Sequence, residues 1–307
     1  MHISELETPS ILVDLDIMEA NIRRLQNYLS QHGIANRPHV KTHKIPAIAR
    51  LQITAGAVGI ACQKLGEAEV MAEAGIQDIF LPYNLIGAAK LERLMNLARR
   101  RVRISVTADS EIVVRGLSAA AQGAGLTLSV LVECDTGAKR CGVQSPAAAA
   151  ELARFIARSP GLHFGGFMTY PNSEQLDPFM REAKRLLAEQ GLTVERVSGG
   201  GTPQMWQAHT HSELTEHRAG MYLYGDRYTL RSGAIQLADC SFKVRATVVS
   251  RPTPDRAILD AGSKTLSSDG LGLEGYGLIT EYPEAQIYSL SEEHGHVDLS
   301  RCASKPE

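Results

Sequence analysis

RPHVKTHKIP (37–46) gathers Arg37, Lys41 and Lys44, with His39 and His43, into ten residues. Such a cluster admits three chemistries: a solvated loop, a phosphate or nucleic-acid contact, or a lysine held neutral by its surroundings. A neutral amine attacks carbonyl carbon, and both burial and adjacent cations favour that form. A second stretch, SGGGTP (198–203), lines up Gly199, Gly200 and Gly201 before Thr202. It is either a tight turn or a place where backbone N–H groups approach an anion. A third, DTGAKRCGV (135–143), offers Arg140, either an exposed loop arginine or one that reaches into a site. Glu133 and Asp135, just before it, are acid or base candidates, or caps of the following turn.

The elements that must position these residues follow from hydrophobic pattern. Short apolar runs read as strands at 34–41, 58–63, 78–83, 103–109, 128–135, 162–170, 194–201 and 217–226. Between them lie helical patterns such as KLGEAEVMAEAG, GAAKLERLMNLARR and DPFMREAKRLLAEQG. Strands alternating with helices mean parallel pairing, and eight such units predict a (β/α)8 TIM barrel; a doubly wound sheet is the alternative. An opening strand and helix precede this run, and from about residue 235 the pattern turns to β-strands and turns. The expected division is an N-terminal segment (1–17) joining the β domain, a barrel (18–234) and a β-rich domain (235–307). The last looks incomplete at its C-terminal end.

Barrel active sites lie at the carboxyl ends of the strands. Read in order, those ends supply Lys41, Gln63, Tyr83, Asp109, Glu133, Asp135, Tyr170, the 199–201 glycines, and Tyr222 to Asp226. A nucleophilic lysine and a phosphate-binding turn in one mouth call for a phosphorylated carbonyl cofactor, of which pyridoxal 5′-phosphate (PLP) is the leading candidate. An arginine beside its pyridine nitrogen would keep that nitrogen unprotonated and weaken the ring as an electron sink.

The bulk composition excludes other classes. At 307 residues and 44% hydrophobic, the chain can bury a large core. A net charge of −2 gives no basic excess for nucleic acid. Five cysteines without a C-x-x-C pair fit reduced thiols in the cytoplasm. Neither a signal peptide nor a membrane-length apolar run is visible.

TPSILVDLD, RPHVKTHK, GAVGIACQKLGEAEVMAEAGIQDIFLPYNLIG, DTGAKRCGV, FMTYPN and VSGGGTP, in this order, resemble the D-threonine aldolase and D-serine dehydratase-like family. These are PLP enzymes that share the alanine racemase barrel. The resemblance implies that Lys41 carries the cofactor as a Schiff base and that Arg140 faces the pyridine nitrogen. It places Tyr170 beside the ring as a second catalytic residue, Gln63 near Arg140, and Gly200, Gly201 and Thr202 at the phosphate. Tyr222 and Asp226 are further pocket candidates. The implied activity is a lyase acting on small D-β-hydroxy amino acids, foremost retro-aldol cleavage to glycine and an aldehyde. The alternatives are dehydratase-type elimination, racemisation (with Tyr276, Tyr282 or Tyr288 as the second acid/base), or a non-catalytic PLP carrier. The family implies a homodimer and a divalent metal, manganese or zinc, bound by a short C-terminal motif that this sequence lacks. His294 and His296, and the separate set His209, His211 and His217, are read as structural or pocket residues rather than metal ligands.

Overall fold

The computed structural model describes residues 2–100 and 102–305. It contains two compact units, Glu19–Tyr222 and the combination of Met1–Met18 with Leu223–Glu307. The chain opens with β1 (Ser10–Val13), which belongs to the second unit, and α1 (Leu15–Gln31).

The larger unit then alternates: β2 (Ala35–Asn36), α2 (Pro46–Thr54), β3 (Ile60–Ala61), α3 (Leu65–Glu73), β4 (Asp78–Asn84), α4 (Ala88–Arg99), β5 (Arg103–Ala108) and α5 (Glu111–Ala124). It continues with β6 (Leu128–Cys134), α6 (Pro146–Arg158), β7 (Leu162–Thr169), α7 (Leu176–Ala188), β8 (Val197–Gly200) and β9 (Glu216–Arg218). The eight strands β2 to β9 pair in parallel in the order β2-β9-β8-β7-β6-β5-β4-β3. The ends of that sheet meet: His39 bridges Ala61, Val58 N–H donates to Asn36 O at 3.0 Å, and Ala61 N–H donates to Pro38 O at 2.9 Å. The sheet thus closes into the expected barrel.

Local chemistry explains the helices. Ser145 caps α6 by accepting from Ala148 N–H at 3.2 Å, with Pro146 at the first helical position. Helix α7 buries Leu176, Phe179, Met180, Ala183 and Leu187, one stripe at helical spacing, against the barrel wall. Strand β6 is buried along nearly its whole length, as a parallel strand covered on both faces must be. Inside the barrel Phe80, Leu131 and Met168 form an apolar plug contributed by β4, β6 and β7.

Two strand expectations need correction. The run 34–41 yields only two residues of strand plus the bridge at His39, and Lys41 lies in a 3-10 turn, Val40–Thr42. The run 217–226 is strand only to Arg218, and Met221–Leu223 forms a second 3-10 turn. The crossover before β9 is a 3-10 helix, Met205–Thr210.

In the smaller unit α8 (Arg227–Arg231) leads to β10 (Phe242–Arg245), which pairs antiparallel with β1. β11 (Val248–Thr253), β12 (Arg256–Leu259), β13 (Gln286–Leu290) and β14 (Gly295–Asp298) form a separate antiparallel sheet in the order β11-β12-β14-β13. Its core is Ala257, Ala285, Ile287, Val297, Leu299 and Cys302, with Tyr276 and Tyr282 packed against it. His294 and His296 line a cavity of about 520 Å³ there, with Val249, Ser250, Ile258 and Ser291. Among the described residues no helix is long and apolar enough to cross a membrane.

Gly166 shows how tightly β7 is built. It sits at φ +117 beside the register shift between Val130 and Leu131, and a Cβ there would run into the Arg196 backbone. Gly166→Ala is expected to cost about 2–4 kcal/mol, visible as a lower urea midpoint at unchanged slope.

Candidate active site

Lys41 lies exposed in a 3-10 turn that follows β2. Enough protein surrounds its amine that desolvation lowers its pKa, and Arg140 and Arg218 lower it further, against a weaker opposing pull from Glu67. The neighbours that the sequence placed beside Lys41 do not supply this effect. Arg37 turns into the barrel interior, where its Nε donates to Glu216 at 2.7 Å and its Nη1 to Asp78 at 2.5 Å. Lys44 pairs with Glu67 at 3.1 Å. His39 and His43 are neutral, because burial holds both below the usual imidazole range, His43 at about 4. Five polar residues in one short segment diverge because successive side chains leave the strand and the turn in different directions.

His39 instead fixes the local geometry. Its Nδ1 accepts from Lys41 N–H at 3.4 Å, and its Nε2 donates to Gln63 Oε1 at 3.2 Å. Gln63 therefore lies beside the Lys41 turn. Arg140 comes from the loop after β6, its guanidinium 5.0 Å from the Tyr170 ring centroid. Asp135 secures that loop by accepting from Gly137 N–H at 2.8 Å and Lys139 N–H at 3.2 Å. The two carboxylates left open by sequence thus separate: Asp135 caps the turn. The Glu133 carboxylate, at the same strand end, makes no hydrogen bond or ion pair among the described residues.

The glycine turn is held from behind by Asn172 and His217. Asn172 Oδ1 accepts from Gly200 N–H at 2.7 Å, and its Nδ2 donates to His217 Nδ1 at 3.3 Å. His217 Nε2 then donates to Gly201 O at 3.2 Å, with burial keeping the ring neutral, its pKa pushed down to about 3. Gly201 N–H donates to Arg218 O at 3.3 Å. Both glycine amides are engaged within the protein, so the glycines contribute room rather than free donors. A Cβ on Gly201, at φ +124, would crowd Gln204 Oε1 at 2.9 Å; one on Gly220 would meet Thr42 Oγ1 at 2.7 Å. Thr202 ties the two turns together by accepting from Gly220 N–H at 3.3 Å.

Tyr222 takes a different place from the one expected. It is almost wholly buried, its Oη accepts from Gln52 at 2.9 Å, and burial pushes the phenol up, so it packs in the core behind the turn. The strand ends at Arg218, and Tyr222 lies in the 3-10 turn beyond it. His209 and His211 part from His217: the first meets Tyr28 Oη at 2.5 Å, the second Asp177 at 3.2 Å.

Arg218 is the residue that sequence reasoning missed. It is fully buried at the end of β9, donates to Ser198 Oγ at 2.6 Å and to Thr169 O at 3.0 Å, and acts on both Lys41 and Glu133. Ending the eighth strand at 226 hid it. Taken together, the mouth holds an amine of lowered pKa, two guanidiniums that repel it, and a side-chain-free glycine turn. That set fits an anionic cofactor bearing a reactive carbonyl.

Comparison with known proteins gives this site its class. Residues 13–228 match the family described as alanine racemase, N-terminal domain, and residues 241–307 the putative serine dehydratase domain. A D-threonine aldolase of Arthrobacter sp. is 37% identical over 321 residues, spanning 99% of this chain and 83% of that one. A 3-hydroxy-D-aspartate aldolase of Paracoccus denitrificans (strain Pd 1222) is 33% identical, spanning 97% and 82%. The crystal structure of D-threonine aldolase from Filomicrobium marinum superposes with a TM-score of 0.91 at 31% identity, covering 99% of this chain and 86% of that one. The chain belongs to the alanine racemase N-terminal domain family. It is an enzyme, and PLP is the cofactor that this membership supports.

Glu133 makes stability depend on pH. Burial raises its carboxyl from 4.5 to about 7, with Asp109 and Asp135 adding to the rise and Arg140 and Arg218 opposing it. A folded pKa above the unfolded value means that the folded state binds the proton more tightly. The resulting stabilisation is complete below about pH 4.5 and lost as pH rises through 7. Glu133→Gln, which mimics the neutral acid, should raise Tm by roughly a few degrees at pH 8 and leave it almost unchanged at pH 4.5 in calorimetry.

Proposed function

We propose that this protein is a PLP-dependent lyase that cleaves the Cα–Cβ bond of a D-threonine-like amino acid, giving glycine and an aldehyde. The observation that carries the proposal is the Lys41 amine, lowered in pKa by burial and by Arg140 and Arg218. The similarity to two aldolases over nearly the whole chain supports the bond that is cut.

Lys41 Nζ would hold the cofactor covalently, and Gly200, Gly201 and Thr202 would give its phosphate room beside the Lys41 turn. Arg140 and Arg218 would flank the ring as cations, with Tyr170 against Arg140 and Gln63 beside the lysine. When bound, PLP supplies the carbonyl that takes up the substrate amine and the ring that accepts electrons from the bond broken at Cα. Lys41 Nζ would also be placed to hold a proton near Cα of the substrate. The Glu133 carboxyl, with a pKa near neutrality, can give or take one in the same mouth. A divalent metal, manganese or zinc, is expected of the family for the substrate's β-hydroxyl; among the described residues no three His, Cys, Asp or Glu side chains converge on a metal-sized site. By the same resemblance the working unit is proposed to be a homodimer.

One observation favours a second reading. Residues 241–307 match the putative serine dehydratase domain, which suits elimination of the β-hydroxyl to a keto acid and ammonia. The two reactions begin alike and differ in which bond to Cα breaks.

The deciding experiment is a visible spectrum of the purified chain with PLP, followed by product analysis on D-threonine. A band that borohydride bleaches, absent in Lys41→Ala, together with acetaldehyde and glycine, is the expected result. The variant should lose about 10³-fold or more in rate. Ammonia and 2-oxobutanoate without acetaldehyde would establish the elimination. No band in the wild type would sink the cofactor assignment.

A further inference from the structure

The barrel interior of this chain carries an unusual line of buried polar side chains. Glu216, on β9, is the centre. Burial alone would raise its carboxyl, but Arg37 and Arg196 outweigh that, with hydrogen bonds from Ser198 and Arg37, and hold it below the usual range. Arg37 Nε donates to one carboxylate oxygen at 2.7 Å, with Arg196 NH1 at 3.4 Å from the same oxygen. The Ser198 hydroxyl donates to the other oxygen at 2.5 Å. A serine has one proton to give, so with that proton on Glu216 its oxygen is left as an acceptor, and Arg218 NH1 donates to it at 2.6 Å.

Strand register makes this line continuous. Ser198 lies opposite Glu216 across β8 and β9, and Gly200 lies opposite Arg218. Glu216 and Arg218 are two residues apart and share the inward face. A Cβ on Gly200 would meet the Arg218 carbonyl oxygen at 2.7 Å, so the glycine leaves the space that Arg218 needs. The other guanidinium nitrogen donates to Thr169 O at the end of β7, and Phe80 lies beneath, 5.7 Å from the guanidinium carbon.

The cations are not held alike. Arg37 and Arg196 pair with Glu216, Arg37 also with Asp78, and Asp78 again with Arg103 at 3.2 Å. Arg218 reaches Glu216 only through Ser198. Among the described residues no carboxylate pairs with its guanidinium directly; Glu216 and Glu133 act on it from a distance. Arg218 is thus a cation held by neutral oxygens.

We propose that Ser198 and Glu216 are positioning residues that lock the Arg218 guanidinium at the barrel mouth as a fixed cation facing the Lys41 amine and the cofactor. This rests on the reading of Lys41 as the cofactor lysine. Without the Ser198 hydroxyl, Arg218 loses one of its two anchors and its link to Glu216. The guanidinium is then no longer fixed in one orientation and its field at Lys41 weakens on average.

The test uses the whole 307-residue chain as Ser198→Ala, Ser198→Cys and Ser198→Thr, with Arg218→Lys as a benchmark. Two quantities are read: PLP affinity by absorbance titration, and the pH midpoint of Lys41 acylation in the cofactor-free chain, followed by peptide mass spectrometry. Ser198→Ala is expected to weaken PLP binding about tenfold and to raise the Lys41 midpoint by roughly half a pH unit. Ser198→Cys should follow it, and Ser198→Thr, which keeps the hydroxyl, should restore both. If Ser198→Ala fails to fold by circular dichroism, Ser198→Cys decides. Wild-type affinity and an unmoved midpoint in the folded variant overturn the proposal, even where Tm falls, since that pattern belongs to packing alone. Failure of the cofactor reading stays separate. It is shown by the absence of a borohydride-sensitive band in the wild type, and the midpoint in the cofactor-free chain still reads the relay.

Discussion

Glu216 is buried inside the barrel and stays an anion there because Arg37 and Arg196 face it and Ser198 donates to it. Such an arrangement is costly to assemble and more costly to break: stripping one partner from a buried ion pair leaves a charge without compensation, at about 3–5 kcal/mol. Each partner comes from a different part of the barrel wall. Arg37 follows β2 and also ties Asp78 of β4, Arg196 precedes β8 and donates to Ser105 of β5 at 3.0 Å, and Glu216 opens β9. These contacts pin β2, β4, β5, β8 and β9 to one register, including the short strands where backbone pairing alone is sparse. β2 contributes only two paired residues to β9, so the side-chain ties matter most where the ladder is thinnest.

That constraint reaches the chemistry through what it places two residues further on. From Glu216 the same strand face leads to Arg218, and between them His217 points the other way, to the glycine turn. One three-residue strand thus supports the phosphate-side turn with one residue and the cationic wall with the next. Another part of the rim is more open. Arg140, on a loop stapled by Asp135, and Tyr170 beside it are both exposed. A buried cation on one side and exposed residues on another suit a site that must hold a cofactor in place and admit a substrate.

The barrel was legible in the sequence because its strands are fully buried and its helices amphipathic, two patterns that survive any detail of packing. Lys41, Gln63, Tyr170 and the 199–201 glycines could be singled out because strand ends in a barrel converge, whereas Arg140 and Thr202 are named through the family resemblance. What the sequence concealed was direction. Arg37 and Lys41 look like neighbours in RPHVKTHK, yet one serves the ion cluster in the barrel interior and the other the mouth. Tyr222 looked like a strand end because MYLYGD is apolar, but the strand stops at Arg218. Arg218 stayed hidden because the strand pattern reads on to 226, and so did Asn172, whose hydrogen bond to His217 joins segments 45 residues apart. Contacts of that kind leave no periodic trace.

Desolvation acts on the two titratable groups of the mouth in opposite senses. It raises the Glu133 carboxyl and lowers the Lys41 amine, so both move toward neutrality. The arginines then split the pair. Arg140 and Arg218 lower the amine further, but they also pull the carboxyl back down, which is why Glu133 stops near 7 instead of climbing beyond reach. An amine that is more readily neutral can attack and bond, and a carboxyl poised near 7 can carry a proton in either direction. Removing the arginines would leave a more strongly cationic lysine beside a more firmly protonated acid, and neither would be well suited to its part. The two guanidiniums are therefore better understood as tuning elements for both groups than as ligands for a single anion. How firmly Arg218 is held then governs the lysine and the carboxyl together.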